Sequence, residues 1–179
     1  MNWREFKPTI FFILRFLGLY LAGNLIYGLY TSSFEPVADP VTILVSNQTA
    51  LTLNSLGWQC TTHEQRTKPT VTIAHEAKPV LSVYEGCNGI NVMIIFVAFV
   101  IAFGPMIRAM MWFIPLGFFI IHLGNLLRLV LLFFVSQEFP GALYFSHKYL
   151  FTAFIYAVVF LLWMIWVNSF SLSGKNEKA

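Results

Sequence analysis

Four stretches of this chain are apolar for long enough to decide what it can fold into. Thr9 to Tyr30, Asn88 to Arg108, Ala109 to Val135 and Lys148 to Phe170 carry almost no charge between their ends. About 20 such residues span the hydrocarbon core of a bilayer as a helix, where every backbone polar group must be satisfied within the segment. The runs predict an all-α polytopic membrane protein with about four transmembrane helices. Composition agrees: 58% of the 179 residues are hydrophobic and 11% are charged, against about 25% charged in a soluble domain. The net charge of +3 is small and scattered, so the lipid bilayer is an expected partner and nucleic acid is not.

The first run has Arg15 early in it, close enough to the basic N-terminal end to snorkel. A signal peptide shares this layout. The run is longer than a signal peptide's apolar region, however, and Thr31-Ser32-Ser33 lacks an Ala-x-Ala-like site. An uncleaved anchor with its N-terminus in the cytoplasm is the reading preferred. The positive-inside rule puts Arg4, Lys7, Arg108, Lys175 and Lys178 on the cytoplasmic side. The chain then reads as a single membrane domain over 1–179, multi-pass in the cytoplasmic (inner) membrane, with an extracytoplasmic insert at 31–86. Splitting the Ala109–Val135 run would give five spans instead of four. Trp163 and Trp166 read as interfacial anchors, and Gly104-Pro105 and Pro115 as helix bends.

The insert is the one extended polar region. From Val41 to Leu56, apolar residues recur among Ser, Asn and Thr, which predicts a helix lying at the membrane interface. After Gly57 the pattern changes. Val71 and Ile73, then Val80 and Val83, read as short strands of a small hairpin sheet, with Lys78-Pro79 at a turn or strand start. Such a small α+β insert could be a lid over a membrane site or a passive cap.

Where the insert meets the second apolar run, the sequence is Tyr84-Glu85-Gly86-Cys87-Asn88-Gly89. A cysteine at a helix start feels the positive end of the helix dipole, which favours the nucleophilic thiolate. Arg128 lies inside the third run, about seven residues and so roughly 10 Å from its outer end. A charge there is costly and marks a functional site by default. Asn125 and His122 precede it at three-residue steps near one helix face, which should point into the bundle. His147, at the outer start of the last run, can act as general base and then as acid to a leaving amine. His122 is a deeper rival. Four spans bring Cys87, Arg128 and His147 to one outer level.

Other features carry less. Cys60 and His63 have C-x-x-H spacing with His75 beyond, but no fourth zinc ligand is evident, so no metal or other cofactor is expected. A Cys60–Cys87 disulfide would disable the nucleophile. Asn47-Gln48-Thr49 matches a glycosylation sequon common by chance. Glu85 could orient a partner, and Lys148 marks the interface.

Cys87-Asn88-Gly89, then Asn125-Leu126-Leu127-Arg128, then His147, resemble in order and placement the motifs of the exosortase/archaeosortase family. The resemblance covers roughly residues 56–160. It implies a membrane-embedded cysteine protease, transpeptidase-like, acting on exported proteins. Their C-terminal sorting signal is a short motif, a hydrophobic helix and a basic tail. Carried over by motif, Cys87 is the nucleophile, Arg128 stabilises the oxyanion or orients the thiolate, and His147 is the acid/base. Asn125, Asn88 and Gly89 support them. Asn88 stands where the family usually has serine. The chain is much shorter than the eight-span members and looks like compact forms such as exosortase type F. The alternative is a non-catalytic assembly or substrate-binding membrane protein whose polar third helix grips a partner. A thiol redox protein using Cys60 and Cys87 ranks last, because there is no C-x-x-C.

Overall fold

The structure is a computed structural model and describes residues 3–104 and 107–176, with side chains for 6–104 and 107–169. The side chains of Arg4 and Lys175, and the whole of Pro105 and Lys178, lie outside the described residues.

Three helical stretches are long and apolar enough to cross a membrane: Phe6–Ser32, Ile107–Glu138 and Pro140–Ser169. Helix α1 (Trp3–Ser32) is one continuous helix. Its outer face carries Phe11, Leu14, Leu21, Leu25 and Leu29, all exposed, as a lipid-facing helix requires. Helix α3 (Ile90–Phe103) has 14 residues, or about 21 Å. That falls short of the ~30 Å hydrocarbon core. The second apolar run therefore does not form the full-length helix expected from Asn88 to Arg108, because Gly104 turns extended and ends it. Helix α4 (Ile107–Glu138) has 32 residues and passes through Pro115 without a break, so the run is not split into two spans. After it come a 3-10 turn (Pro140–Ala142), a single turn α5 (Leu143–Phe145), a π-helical stretch (Ser146–Leu150) and helix α6 (Phe151–Asn176).

Between α1 and α3 lies the insert. Helix α2 (Pro40–Ser55) starts at Asp39, whose carboxylate accepts from the backbone of Val41 at 2.9 Å and Thr42 at 3.2 Å. Proline at the first helical position loses nothing, since its missing N–H would have had no partner. The buried side of α2 carries Thr42, Ser46 and Thr49, while Leu44 and Leu51 face outward. Burying hydroxyls is cheap here. Ser46 donates to Thr42 O and Thr49 to Val45 O, both at 2.8 Å, so neither enters the core unsatisfied.

Three antiparallel strands follow: β1 (Cys60–Glu64), β2 (Thr70–His75) and β3 (Lys78–Tyr84), in the order β1-β2-β3. The β2–β3 turn places Glu76 and Ala77 at positive φ (49° and 64°), the conformation tight two-residue hairpins require. Strand β1 has no alternating apolar pattern, and the sequence pointed there to a possible metal loop. As a strand it separates that spacing. Residues three apart face opposite sides of a sheet, so Cys60 is buried and His63 exposed.

Helix α4, about 48 Å long, serves two cores. Its first half packs with α3 and α6 through Phe96, Ile121, Ile155 and Trp166. Its second half packs against the insert through Leu129, Leu132 and Phe133 on one side and Val45, Leu53, Ile73 and Val83 on the other. Trp163 and Trp166 belong to the first of these cores. Trp163 stacks on Phe99 at 4.3 Å and Trp166 packs on Phe113 at 4.8 Å, so they are packing residues and not surface anchors.

Candidate active site

The site forms at the joint between the two cores. Strand β3 ends at Tyr84, and a 3-10 turn (Glu85–Cys87) carries the chain to α3. Asn88 closes that turn: its side-chain oxygen accepts from the backbone N–H of Ile90 at 3.0 Å. Gly89 has φ +90°, and a Cβ there would lie 3.3 Å from Asn125 Cγ. Both the backbone angle and the close approach of Asn125 call for glycine. A Cβ on Gly86 would collide with the ring of Tyr84, which lies across the turn.

Helix α4 meets this turn with two fully or nearly fully buried polar residues, one helical step apart. Asn125 Nδ2 donates to the carbonyl oxygen of Cys87 at 2.9 Å. Arg128 Nη2 lies 3.9 Å from Cys87 Sγ. His147 Nε2 lies 3.4 Å from the same sulfur. The histidine sits in the π-helical stretch, where Thr152 Oγ1 donates to His147 O at 3.2 Å. Single π turns inside longer helices are frequent at functional sites. Cys87, Arg128 and His147, 19 to 60 positions apart in the chain, thus converge on one sulfur. His122 is not part of this contact, and Glu85 takes part through its backbone oxygen, which accepts from Tyr27 Oη at 3.3 Å.

The electrostatics differ from the expectation of a resting thiolate. Burial pushes the Cys87 thiol above its ordinary range, and Arg128 with Tyr84 offsets this only in part. The sulfur also lies before the N-cap of α3 at Gly89, outside the helix's first turn, so the dipole acts on it weakly. Burial thus favours the neutral thiol, and His147 Nε2 lies 3.4 Å from its sulfur. Arg128 is 6% exposed, and among the described residues no carboxylate pairs with it; its Nε has no partner at all. A buried cation without an anion suits a site where negative charge appears only during a reaction.

Arg128 and His147 also line a cavity of about 420 Å³, together with Tyr84, Tyr144, Lys148 and Thr152 among others; Cys87 itself is not in its lining. Its lining contains no carboxylate. Of these lining residues, Lys148 Nζ donates to Tyr144 Oη at 2.7 Å. Among the described residues no three metal-ligating side chains cluster, and both cysteines are free thiols. Sequence reasoning missed Tyr27, Thr42 and Tyr84. Tyr84 lies three positions before Cys87, but nothing in the sequence marks the other two.

The fold and site define a helical membrane protein in which a buried thiol and a buried guanidinium meet a half-buried imidazole beside a small α+β insert. Comparisons with protein-family models, with curated proteins and with solved structures found no match to this chain.

Proposed function

We propose that this protein is a membrane-embedded cysteine peptidase with transpeptidase-like chemistry, of exosortase type. The observation that carries the reading is the convergence on Cys87 Sγ of His147 Nε2 at 3.4 Å and Arg128 Nη2 at 3.9 Å. His147 takes the thiol proton as Cys87 attacks the scissile carbonyl carbon. Arg128 stabilises the oxyanion that forms in this water-poor site. His147 then gives its proton to the leaving amine as the carbon–nitrogen bond breaks, leaving a thioester on Cys87. Water or an acceptor amine or hydroxyl resolves the thioester. The substrate is an exported protein with a C-terminal signal of short motif, apolar helix and basic tail.

In this reading the chain crosses the cytoplasmic membrane four times, α3 being a short crossing paired with the first half of α4, and the site faces outward. The exposed aromatic residues Phe139, Tyr144, Phe145 and Tyr149 support a level near the lipid headgroups, where such rings collect. Outward Leu44 and Leu51 on α2 suit the same boundary. The test is a Cys87→Ala enzyme expressed with a tagged substrate. The substrate should stay full length while the enzyme accumulates normally. Processing at the parent rate would exclude a covalent route through this sulfur.

A further inference from the structure

Asn88, next to the nucleophile of this reading, is 1% exposed and joins three helices. Its Nδ2 donates to Tyr27 Oη on α1 at 2.7 Å and to Thr42 Oγ1 on α2 at 3.1 Å. Its oxygen holds the start of α3 through the Ile90 N–H. Thr42 Oγ1 donates its own hydrogen bond to the carboxylate of Asp39, which is 1% exposed. Tyr27 Oη donates to Glu85 O at 3.3 Å, at the first residue of the turn that ends in Cys87. A hydroxyl has one proton to give. Each of these two accepts from Asn88 and donates onward, so every bond in the chain has one possible direction.

We propose that Thr42 and Tyr27 are positioning residues for Cys87, acting through Asn88. The proposal rests on the reading of Cys87 as nucleophile. The turn that carries Cys87 is too short for a helix or strand ladder to hold it. Asn125 fixes the Cys87 carbonyl from α4, and Asn88 ties the next residue to α1 and α2. The sulfur's alignment with an imidazole on another element depends on both. The insert is then part of the catalytic scaffold through Thr42, and the N-terminal helix through Tyr27.

Thr42→Val removes one oxygen at nearly constant shape and leaves both Asn88 and Asp39 short of a partner. Loss of alignment of this kind should lower turnover per folded molecule about tenfold with KM unchanged. Thr42→Ser should restore it. An independent readout is alkylation of the purified protein by iodoacetamide, with the two cysteines resolved by mass spectrometry. Cys87 and Cys60 are 3% and 5% exposed and share one core. Freeing the turn should speed Cys87 alkylation about fivefold through local opening while Cys60 is unchanged. Tyr27→Phe keeps the ring and should show the same selectivity more weakly, which covers the case of a poorly folded Thr42→Val protein. Equal acceleration of both cysteines, no acceleration, or undiminished turnover in the folded variants would overturn the proposal. The alkylation contrast needs no substrate. It is therefore read separately from the Cys87→Ala test, which addresses the nucleophile reading on which the proposal rests.

Discussion

Replacing Arg128 by methionine separates a functional arginine from a structural one. Arg128 is 6% exposed, its Nε has no partner, and among the described residues it has no carboxylate. Its contact with Cys87 Sγ is long, at 3.9 Å. A buried charge costs several kcal/mol unless paired, and an orphaned buried donor costs about 1–3 kcal/mol. Methionine keeps the unbranched stem between the two cores and removes both penalties. Stability should therefore hold or rise, by up to about 3 kcal/mol. In a domain of this size that is a gain of several degrees in melting temperature, at about 2–4 °C per kcal/mol. Activity should move the other way. Loss of the oxyanion donor proposed above should raise the barrier by about 3–4 kcal/mol, two to three orders of magnitude in turnover. The assay pairs thermal unfolding in detergent, followed by tryptophan fluorescence, with processing of a tagged substrate. An Arg128→Met protein that melts several degrees lower yet processes at the parent rate would refute the reasoning and mark a structural arginine.

Gly89→Ala should destabilise more than Gly57→Ala. Both glycines have φ above +90° or at it, but a Cβ meets Asn125 at the first and open space at the second. Each pays about 1–2 kcal/mol for the left-handed backbone, and only Gly89→Ala disturbs the Asn125–Cys87 bond, adding about 1 kcal/mol; equal melting temperatures would show that the contact yields freely. Alkylation of Cys87 should speed up as pH rises from neutral into the alkaline range, later than for an exposed cysteine, because burial holds the thiol protonated. Arg128→Met should move that rise to still higher pH, since the cation favouring the thiolate is gone; a shift to lower pH would contradict the assignment. The same sign governs stability: the contribution from the buried thiol is full below the unfolded cysteine's range and is lost as pH climbs through the raised value.

Strands β2 and β3 were legible because their β-branched residues Val71, Ile73, Val80 and Val83 stand out among polar neighbours, and Val71, Ile73 and Val83 are fully buried. Strand β1 was not. Cys60-Thr61-Thr62-His63-Glu64 is held by pairing with β2, and its own side chains show no alternation of apolar and polar. Trp163 and Trp166 misled for a related reason. Position near a helix end suggests an interface, whereas contact with Phe99 and Phe113 is decided by the neighbouring helices.

By itself the sequence determined that this chain belongs in a bilayer, because long, nearly uncharged apolar runs have no other cheap solvent. It also singled out Cys87, Arg128 and His147, because a charge within an apolar run and reactive side chains at its borders are conspicuous one residue at a time. Only the tertiary structure decided the distances among them, the burial of the sulfur, and the contacts of Thr42 and Tyr27 with Asn88. Those depend on how deeply a group is buried and on which helix lies across from it, and neither quantity is local in the chain.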